Sequence, residues 1–312
     1  MKRTILAIQP LLHNEMVKLE ELFNVIRLWE SLEPEQLIID NSNDIVAIVS
    51  TYNSRGVSAR LMEALPNLEI IAQYGVGFDN IDIKTAHERG VLVTNTPDVV
   101  TNDTADMALF LILALARRAV EADMYVRVGR WQSSIDHMGT TLSGKAIGIV
   151  GLGNIGKAIA RRAEAFNMSV IYHSRTVKDV EYKYYDDLKE MARDCDFLAI
   201  ACAASGETNG LIDYEVLKAL GNKGYLVNIA RGSIVNEEDL LIALHNRAIA
   251  GAGLDVFAGE PNVPPEMIKM DNVVLSPHVG GGTLETRSKM GKIVIDNLIA
   301  HFDGKPLLTP VK

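Results

Sequence analysis

Residues 146–166, AIGIVGLGNIGKAIARRAEAF, constrain the fold of this chain more than any other stretch. A short apolar run (Ile147, Ile149, Val150) breaks into Gly151-Leu152-Gly153-Asn154-Ile155-Gly156, and a helical pattern follows at once. Ile155, Ile159, Ala163 and Phe166 recur at the spacing of one helix face. That order predicts a buried strand, a tight glycine turn and the start of a helix. Gly151 permits the turn, Gly153 lets a pyrophosphate approach the backbone, and Gly156 allows close helix–strand packing. The anion would rest on the free N–H groups of the helix N-terminus. Glycine turns also occur for purely structural reasons, and it is the flanking strand and helix that make this one a dinucleotide site.

The next strand sharpens the prediction. Ser169 to Tyr172 reads as that strand and runs into His173-Ser174-Arg175-Thr176. A site selective for NAD places a carboxylate about 20 residues past the glycines, on the ribose hydroxyls. Here the first acid is Asp179, beyond the turn, and Arg175 stands at the strand end between Ser174 and Thr176. A guanidinium offers a planar fork of donors to phosphate oxygens, so this trio suits the 2′-phosphate of NADP(H). The bland alternative is a solvated arginine after a strand. NADP(H) is therefore the preferred cofactor, with NAD(H) still open.

At 312 residues the chain has room for two domains, and 48% hydrophobic content supplies real cores. A net charge of −9 argues against non-specific nucleic-acid or anionic-membrane binding. Cys195 and Cys202 show neither a metal spacing nor a disulfide framework, so no metal site is expected and both read as inert core thiols of a reducing compartment. The apolar run in MKRTILAIQP is too short for a secretion signal, and Ile5, Ala7 and Ile8 look like a first core strand. Met107 to Ala116 is the longest apolar run, far short of a membrane span. It is apolar on every face, which predicts a helix buried on all sides. Together these features predict a soluble, cytoplasmic protein.

Short β-like runs alternate with helical stretches throughout, the pattern of parallel sheets covered by helices on both faces. Strands fit Ile5–Ile8, Ile45–Val49, Ile70–Gln73 and Val91–Thr94 before the glycine turn, then Ser169–Tyr172, Phe197–Ala201, Tyr225–Asn228, Gly251–Asp255 and Val273–Leu275 after it. Because the turn comes so late, a separate α/β unit must precede it. A long helix from about Thr101 to Arg118 would bridge the two, and the amphipathic segment Leu284 to Phe302 would return to the first. The expected architecture is α/β, with two Rossmann-like or flavodoxin-like domains, parallel sheets and a cleft between them. Residues 1–98 with 286–312 would form the substrate-binding domain, and residues 99–285 the dinucleotide-binding domain.

Three polar groups stand at strand ends in the second half: Arg231 after Asn228, Glu260 after the strand closing at Asp255, and His278 after Leu275. The carboxyl ends of strands surround the ligand crevice in open α/β sheets, so the three should converge on the cofactor. Their chemistry fits a 2-keto acid. Arg231 can hold the carboxylate and polarise the neighbouring carbonyl. His278 can deliver a proton as hydride arrives, since a histidine titrates near working pH. Glu260 can accept the other imidazole N–H and orient the ring. Taken singly, a histidine after a proline is usually a turn residue, and the glutamate of Gly259-Glu260-Pro261 is usually solvated.

Six segments carry a wider resemblance: YGVGFDNID (74–82), VLVTNTPDVVTNDTADMAL (91–109), GIVGLGNIGKAIARRAEAF (148–166), NIARGSIVNEEDLLIAL (228–244), AGAGLDVFAGEP (250–261) and LSPHVGGGTLETR (275–287). With the order Arg231, Glu260, His278, the chain resembles the D-isomer-specific 2-hydroxyacid dehydrogenase family over nearly its whole length. The segments HSRT and HFDGKPLLTPV resemble its NADPH-using glyoxylate, hydroxypyruvate and hydroxyphenylpyruvate reductases most. The resemblance implies that Arg231, Glu260 and His278 are catalytic and that the backbone N–H groups of Val76 and Gly77 hold the substrate carboxylate. It implies a cofactor lined by Thr104, Gly153, Asn154, Ile155, Ser174 to Thr176, Cys202, Ile229, Asp255, His278 and the glycine turn that opens at Gly280. Asp255 would bind the nicotinamide carboxamide. It further implies a homodimer, with the 120–140 segment and Trp131 as its interlocking arm.

Two stretches depart from the family pattern. Gly280-Gly281-Gly282-Thr283 lacks a hydroxyl usual at 281, and Cys202-Ala203-Ala204-Ser205 replaces Cys-Pro-Leu-Thr; both touch cofactor affinity rather than catalysis. The expected reaction is transfer of hydride from NADPH to a small 2-keto acid, giving a D-2-hydroxy acid. The alternative is an NAD(P)(H)-sensing corepressor-like protein on the same scaffold. A formate-type dehydrogenase would carry a glutamine at 260, and a phosphoglycerate dehydrogenase with a regulatory domain would need more chain after 302. The side-chain pocket is expected from Leu11, Leu12, Asn53, Ser54, Tyr74 and Met138, with Arg55 a possible polar contact. Glyoxylate, hydroxypyruvate, an arylpyruvate and a sugar-derived keto acid all remain open.

Overall fold

Two parallel sheets, each sandwiched between its own pair of apolar layers, organise the chain. The computed structural model describes residues 2–51, 56–131 and 138–311. It divides into one unit of Met1–Val100 with Thr283–Lys312, and another of Thr101–Gly282.

The first unit runs β1 (Thr4–Ala7), α1 (His13–Leu22), β2 (Asn24–Arg27), α2 (Pro34–Asp40), β3 (Ile45–Thr51), α3 (Ala59–Glu63), β4 (Ile70–Tyr74), α4 (Ile83–Glu88) and β5 (Leu92–Thr94). Its five strands are all parallel, in the order β2-β1-β3-β4-β5. Alternation along the strands sends successive side chains to opposite layers. Ile5, Val49, Ile70 and Ala72 pack with Met290, Val294, Ile295 and Leu298 of the C-terminal helix, Leu284–Phe302. Leu6, Ile48, Ile71 and Val93 pack on the other face with Met62 and Leu65. Each such burial is worth roughly 1.5–3 kcal/mol, which ties that helix to this unit.

The second unit runs α5 (Thr101–Ala116), α6 (Ala119–Arg127), β6 (Ala146–Val150), α7 (Asn154–Ala165), β7 (Ser169–His173), β8 (Lys183–Tyr184), α8 (Leu188–Arg193), β9 (Phe197–Ile200), α9 (Tyr214–Leu220), β10 (Tyr225–Asn228), α10 (Glu237–His245), β11 (Gly251–Leu254), α11 (Pro265–Ile268) and β12 (Val273–Leu275). Its seven strands are parallel, in the order β12-β11-β10-β9-β6-β7-β8. The order reverses between β6 and β9, the doubly wound arrangement whose switch point takes a ligand.

Helix starts follow side-chain chemistry. Asp187, Asp213 and Asn236 each accept a backbone N–H from the first turn of α8, α9 and α10. The start of α7 has Gly153 at that position and no side-chain cap.

Two expectations need correction. The strands expected from apolar runs omit β2 and β8, edge strands of only four and two residues that are too short to show one. The apolar stretch in α5 is not buried on all sides: Phe110 is 54% exposed within the chain, and Met107 and Leu113 are only part-covered. The sheet and α7 cover the face made by Ala105, Ala108, Leu111, Ile112 and Leu115, which leaves Phe110 pointing outward.

Candidate active site

The residues expected to meet a dinucleotide lie along the carboxyl edge of the seven-stranded sheet in spatial order. Arg175 follows β7, the glycine turn follows β6, Cys202 follows β9, Ile229 and Arg231 follow β10, Asp255 follows β11 and His278 follows β12. Strands are spaced about 4.8 Å apart, so this edge is a linear track with Arg175 towards one end and Arg231, Asp255 and His278 towards the other.

Each glycine of the turn has its own geometric reason. Gly151 has φ +96°, and a Cβ there would lie 2.6 Å from the backbone N and Cα of Cys202. A Cβ on Gly156 would overlap the carbonyl oxygen of Gly151 and come within 3.3 Å of Ile149 Cγ2. A Cβ on Gly153 would meet nothing within 4 Å, so the chain leaves open space in front of the uncapped start of α7. Strand, turn and helix N-terminus therefore fit a pyrophosphate, with Asn154 and Ile155 in the first helical turn.

At the basic end, Arg175 and Thr176 are exposed and Ser174 is half-buried. Ser174 Oγ donates to the Thr176 carbonyl at 2.7 Å, closing the turn. The Tyr172 hydroxyl anchors it by accepting from the Lys178 N–H at 2.9 Å. Lys178 Nζ donates to Thr176 Oγ1 at 2.8 Å, which brings a second cation to the trio. Sequence reading stopped at Thr176 and missed that lysine; its spacing two residues on was the available signal.

At the other end, His278 Nδ1 pairs with Glu260 Oε2 at 2.7 Å, and the Phe257 N–H donates to Glu260 Oε1 at 3.0 Å. Burial pushes the Glu260 carboxyl up. The hydrogen bonds from His278 and Phe257, with the charges of His278 and Arg231, outweigh burial and hold it below the usual carboxylate range. His278 and Arg231, two of the residues expected to act together, are thus both within electrostatic reach of the third, Glu260. Arg231 Nη1 donates to the Ala230 carbonyl at 2.8 Å. Its turn is set by the buried Asn228, whose Nδ2 donates to the Arg231 carbonyl at 2.9 Å and whose Oδ1 accepts from the Ala230 N–H at 3.0 Å. Asn228 was legible only as a strand terminus.

His278 has φ +55°, a left-handed backbone that a histidine enters at some cost. Asp255 holds it there: buried at the end of β11, its carboxylate accepts from the Val279 N–H at 2.9 Å and the Gly280 N–H at 2.7 Å. A Cβ on Gly280 would stand 2.9 Å from Asp255 Oδ2, so glycine is required for that approach. Thr104 is buried beside Gly280, and Ile229 lies in the core beneath the sheet edge. Cys202 lies past the end of β9, half-buried rather than inside the strand. Burial pushes its thiol up to about 11 against the opposing charge of Arg175, and pushes Cys195 up to about 12.

In the first unit, Val76 and Gly77 lie in the loop after β4, half-buried. Their carbonyls are held from behind: Asn95 Nδ2 donates to Val76 O at 2.8 Å and Gln73 Nε2 to Gly77 O at 3.0 Å. Leu11 and Tyr74, expected to line a side-chain pocket, belong instead to the core; the Tyr74 hydroxyl donates to the Arg287 carbonyl at 2.8 Å. Leu12 is half-buried and Met138 is 84% exposed. Asn53, Ser54 and Arg55 lie outside the described residues, as does 132–137 within the expected arm. Among the described residues no cluster of His, Cys, Asp and Glu could hold a metal, and no helix is long and apolar enough to cross a membrane.

Residues 109–280 match the family model for the D-isomer specific 2-hydroxyacid dehydrogenase, NAD binding domain. A glyoxylate/hydroxypyruvate reductase A of Arabidopsis thaliana is 50% identical over 295 residues, covering 94% of each chain. A hydroxyphenylpyruvate reductase of Plectranthus scutellarioides is 47% identical over the same length and coverage. The crystal structure of an NADPH-dependent glyoxylate/hydroxypyruvate reductase from Sinorhizobium meliloti, in complex with NADP and malonate, superposes with a TM-score of 0.90. It is 38% identical, and the match covers 100% of this chain and 97% of that one. The chain therefore belongs to the D-isomer-specific 2-hydroxyacid dehydrogenase family and is an oxidoreductase that works with a pyridine nucleotide.

Proposed function

We propose that this enzyme reduces a small 2-keto acid (glyoxylate, hydroxypyruvate or a related acid) to a D-2-hydroxy acid with NADPH. The observation that carries the reading is the Arg231, Glu260 and His278 cluster at the same sheet edge as the glycine turn. The Thr101–Gly282 unit is the nucleotide-binding domain in this reading, and the other unit supplies the substrate loop. The bound nicotinamide supplies the hydride. Arg231 holds the keto acid and stabilises the negative charge that grows on its carbonyl oxygen. His278 gives that oxygen a proton from Nε2, because Nδ1 is engaged by Glu260 and fixes which ring nitrogen faces outward. The N–H groups of Val76 and Gly77 take the carboxylate.

The preference for NADPH rests on Arg175, exposed at the end of β7 with Ser174, Thr176 and Lys178 and no carboxylate between 173 and 178. The Sinorhizobium meliloti relative, named as NADPH-dependent, supports it. Several apolar side chains of α5 and α6 face outward within the chain: Phe110, Val120, Met124 and Val126, with Val128 and Trp131 beyond them. A homodimer burying this face is the assembly they support. Two free, buried-to-half-buried cysteines suit a reducing cytoplasm.

The test is NADPH oxidation, with NADH in parallel, across glyoxylate, hydroxypyruvate, phenylpyruvate, 4-hydroxyphenylpyruvate and 2-ketogluconate. Turnover of at least one, faster with NADPH, is expected. Tight NADPH binding with no turnover of any 2-keto acid would replace this reading by the nucleotide-sensing alternative. The Arg175→Asp variant should reverse the cofactor preference, and an unchanged preference removes Arg175 from the phosphate site.

A further inference from the structure

We propose that Gln73 and Asn95 are positioning residues for the substrate carboxylate, aiming the N–H groups of the 75–78 loop from behind. The proposal rests on the reading of Val76 and Gly77 given above and extends it to side chains that never touch substrate.

Three successive carbonyls in this loop are pinned by different donors. The Thr96 N–H donates to Gly75 O at 2.9 Å, Asn95 Nδ2 to Val76 O at 2.8 Å and Gln73 Nε2 to Gly77 O at 3.0 Å. The only cis peptide among the described residues is Glu260–Pro261, so these peptides are trans. In a trans peptide the N–H points opposite to the carbonyl of the preceding residue. Fixing the carbonyls of 75, 76 and 77 therefore turns the N–H groups of Val76, Gly77 and Phe78 away from their anchors. Among the described residues none of those three N–H groups has a hydrogen-bond partner. Successive unpaired N–H groups form a cradle for an anion.

The orientation of Gln73 follows from its neighbours. The Thr51 carbonyl can only accept, so Asn80 donates to it through Nδ2, at 2.8 Å. Asn80 Oδ1 is then left to face Gln73 Nε2, at 3.1 Å, and the same nitrogen reaches Gly77 O. This leaves Gln73 Oε1 fully buried with no partner. Gln73 stands in an otherwise apolar strand end, after Ile70, Ile71 and Ala72, where an aliphatic side chain would avoid that unpaired oxygen. A glutamine kept at such a cost is explained by what its nitrogen holds.

The test compares wild type, Gln73→Met and Asn95→Ala as full chains, measuring KM and kcat for the best 2-keto acid, NADPH affinity by fluorescence, and thermal midpoint. Methionine matches the length of glutamine and removes the unpaired oxygen along with the donor; the orphaned Gly77 carbonyl and Asn80 Oδ1 offset that gain, so Gln73→Met should melt within a few degrees of wild type. The expected result is a KM raised roughly tenfold in each variant, the size of one oriented hydrogen bond to a charged group, with kcat and NADPH affinity within twofold. An unchanged KM in folded variants of an active enzyme overturns this inference alone. Parallel losses of thermal midpoint, NADPH affinity and kcat also overturn it, since they mark a merely structural role. A wild type that reduces no 2-keto acid overturns the reading of the loop, and this inference falls with it.

Discussion

Gly151 and Gly153 stand two residues apart, and the structure predicts opposite failures when each becomes alanine. At Gly151 the backbone has φ +96°, which disfavours an L side chain by about 1–2 kcal/mol. The new Cβ would also lie 2.6 Å from Cys202 backbone atoms, and relief to the 3.4 Å of ordinary contact must come from moving the strand end after β9. Overpacking of that kind adds about 1–3 kcal/mol, for a total of about 2–5 kcal/mol. In a unit of this size, each kcal/mol lowers the midpoint by about 2–4 °C, so Gly151→Ala should melt about 4–20 °C below wild type. At Gly153 the backbone is extended (φ −81°, ψ −160°), which alanine adopts freely. The loss of a better helix cap, up to about 1 kcal/mol, is offset by about 0.4–1 kcal/mol from a stiffer unfolded chain. The fold should therefore hardly notice the change.

Cofactor affinity should separate the two differently. The Gly153 Cβ projects into open space at the start of α7, where the pyrophosphate is proposed to rest. Calorimetry of the cofactor-free variants gives the stability arm, and NADPH fluorescence titration gives the binding arm. Gly153→Ala should keep the wild-type midpoint and bind NADPH at least about tenfold more weakly, because displacing one charge-assisted contact costs about 1.5 kcal/mol or more. A Gly153→Ala protein that binds NADPH like wild type would refute the placement of the pyrophosphate on this turn.

Glu260→Gln leaves His278 without its carboxylate, and kcat should fall about 100-fold. The Glu260 carboxyl is held below its ordinary value, so its stabilising effect is full above about pH 4.5 and is lost as pH falls through the lowered value. Urea titrations should accordingly show the gap between wild type and Glu260→Gln narrowing from pH 5 to pH 3; a constant gap contradicts the assignment. Asp255→Ala strips the acceptor from the Val279 and Gly280 N–H groups and frees the turn that holds His278 at φ +55°. Stability should drop by about 2–4 kcal/mol. Turnover should fall more than KM rises, and an active variant with normal kcat would show that the turn holds without its anchor. Burial pushes the Cys202 thiol up to about 11, which keeps it protonated at pH 8. Alkylation by iodoacetamide, followed by mass spectrometry, should run at least about 100-fold slower than on a free cysteine.

The parts of this molecule legible in its sequence share a property: each acts through a contiguous pattern or through its own side-chain chemistry. The strand, glycine turn and helix at 146–166 declare themselves by periodicity, and Arg231, Glu260 and His278 by charge placed just after apolar runs. What escaped notice works through the backbone of distant residues. Asn95 and Gln73 reach carbonyls 19 and 4 residues away, and Asp255 reaches N–H groups 24 and 25 residues on. A side chain that holds a peptide in place leaves no periodicity and asks nothing of its partner's identity, because every partner residue offers the same carbonyl or N–H. β2 and β8 escaped for another reason: strands of four and two residues are too short to show a period-two pattern.

A carboxylate in an apolar strand end invites assignment to a ligand, and the nicotinamide carboxamide was the natural candidate. Each oxygen of Asp255 accepts one backbone N–H just beyond His278 and keeps a lone pair with which a carboxamide could still be met. Its negative charge is thereby satisfied in a buried position, and the same two bonds offset the cost of holding His278 in a left-handed conformation. Gln73 and Asn95 do for the carbonyls of the 75–78 loop what Asp255 does for the N–H groups beyond His278. On both units, then, the groups proposed to meet substrate are presented by a side chain whose partner is backbone. Such a frame should keep its geometry when residues that face substrate are exchanged, since the bonds that hold it end on backbone carbonyls and N–H groups. Changes of keto-acid preference are therefore expected at loop side chains, while substitutions at Gln73, Asn95 or Asp255 should weaken every substrate alike.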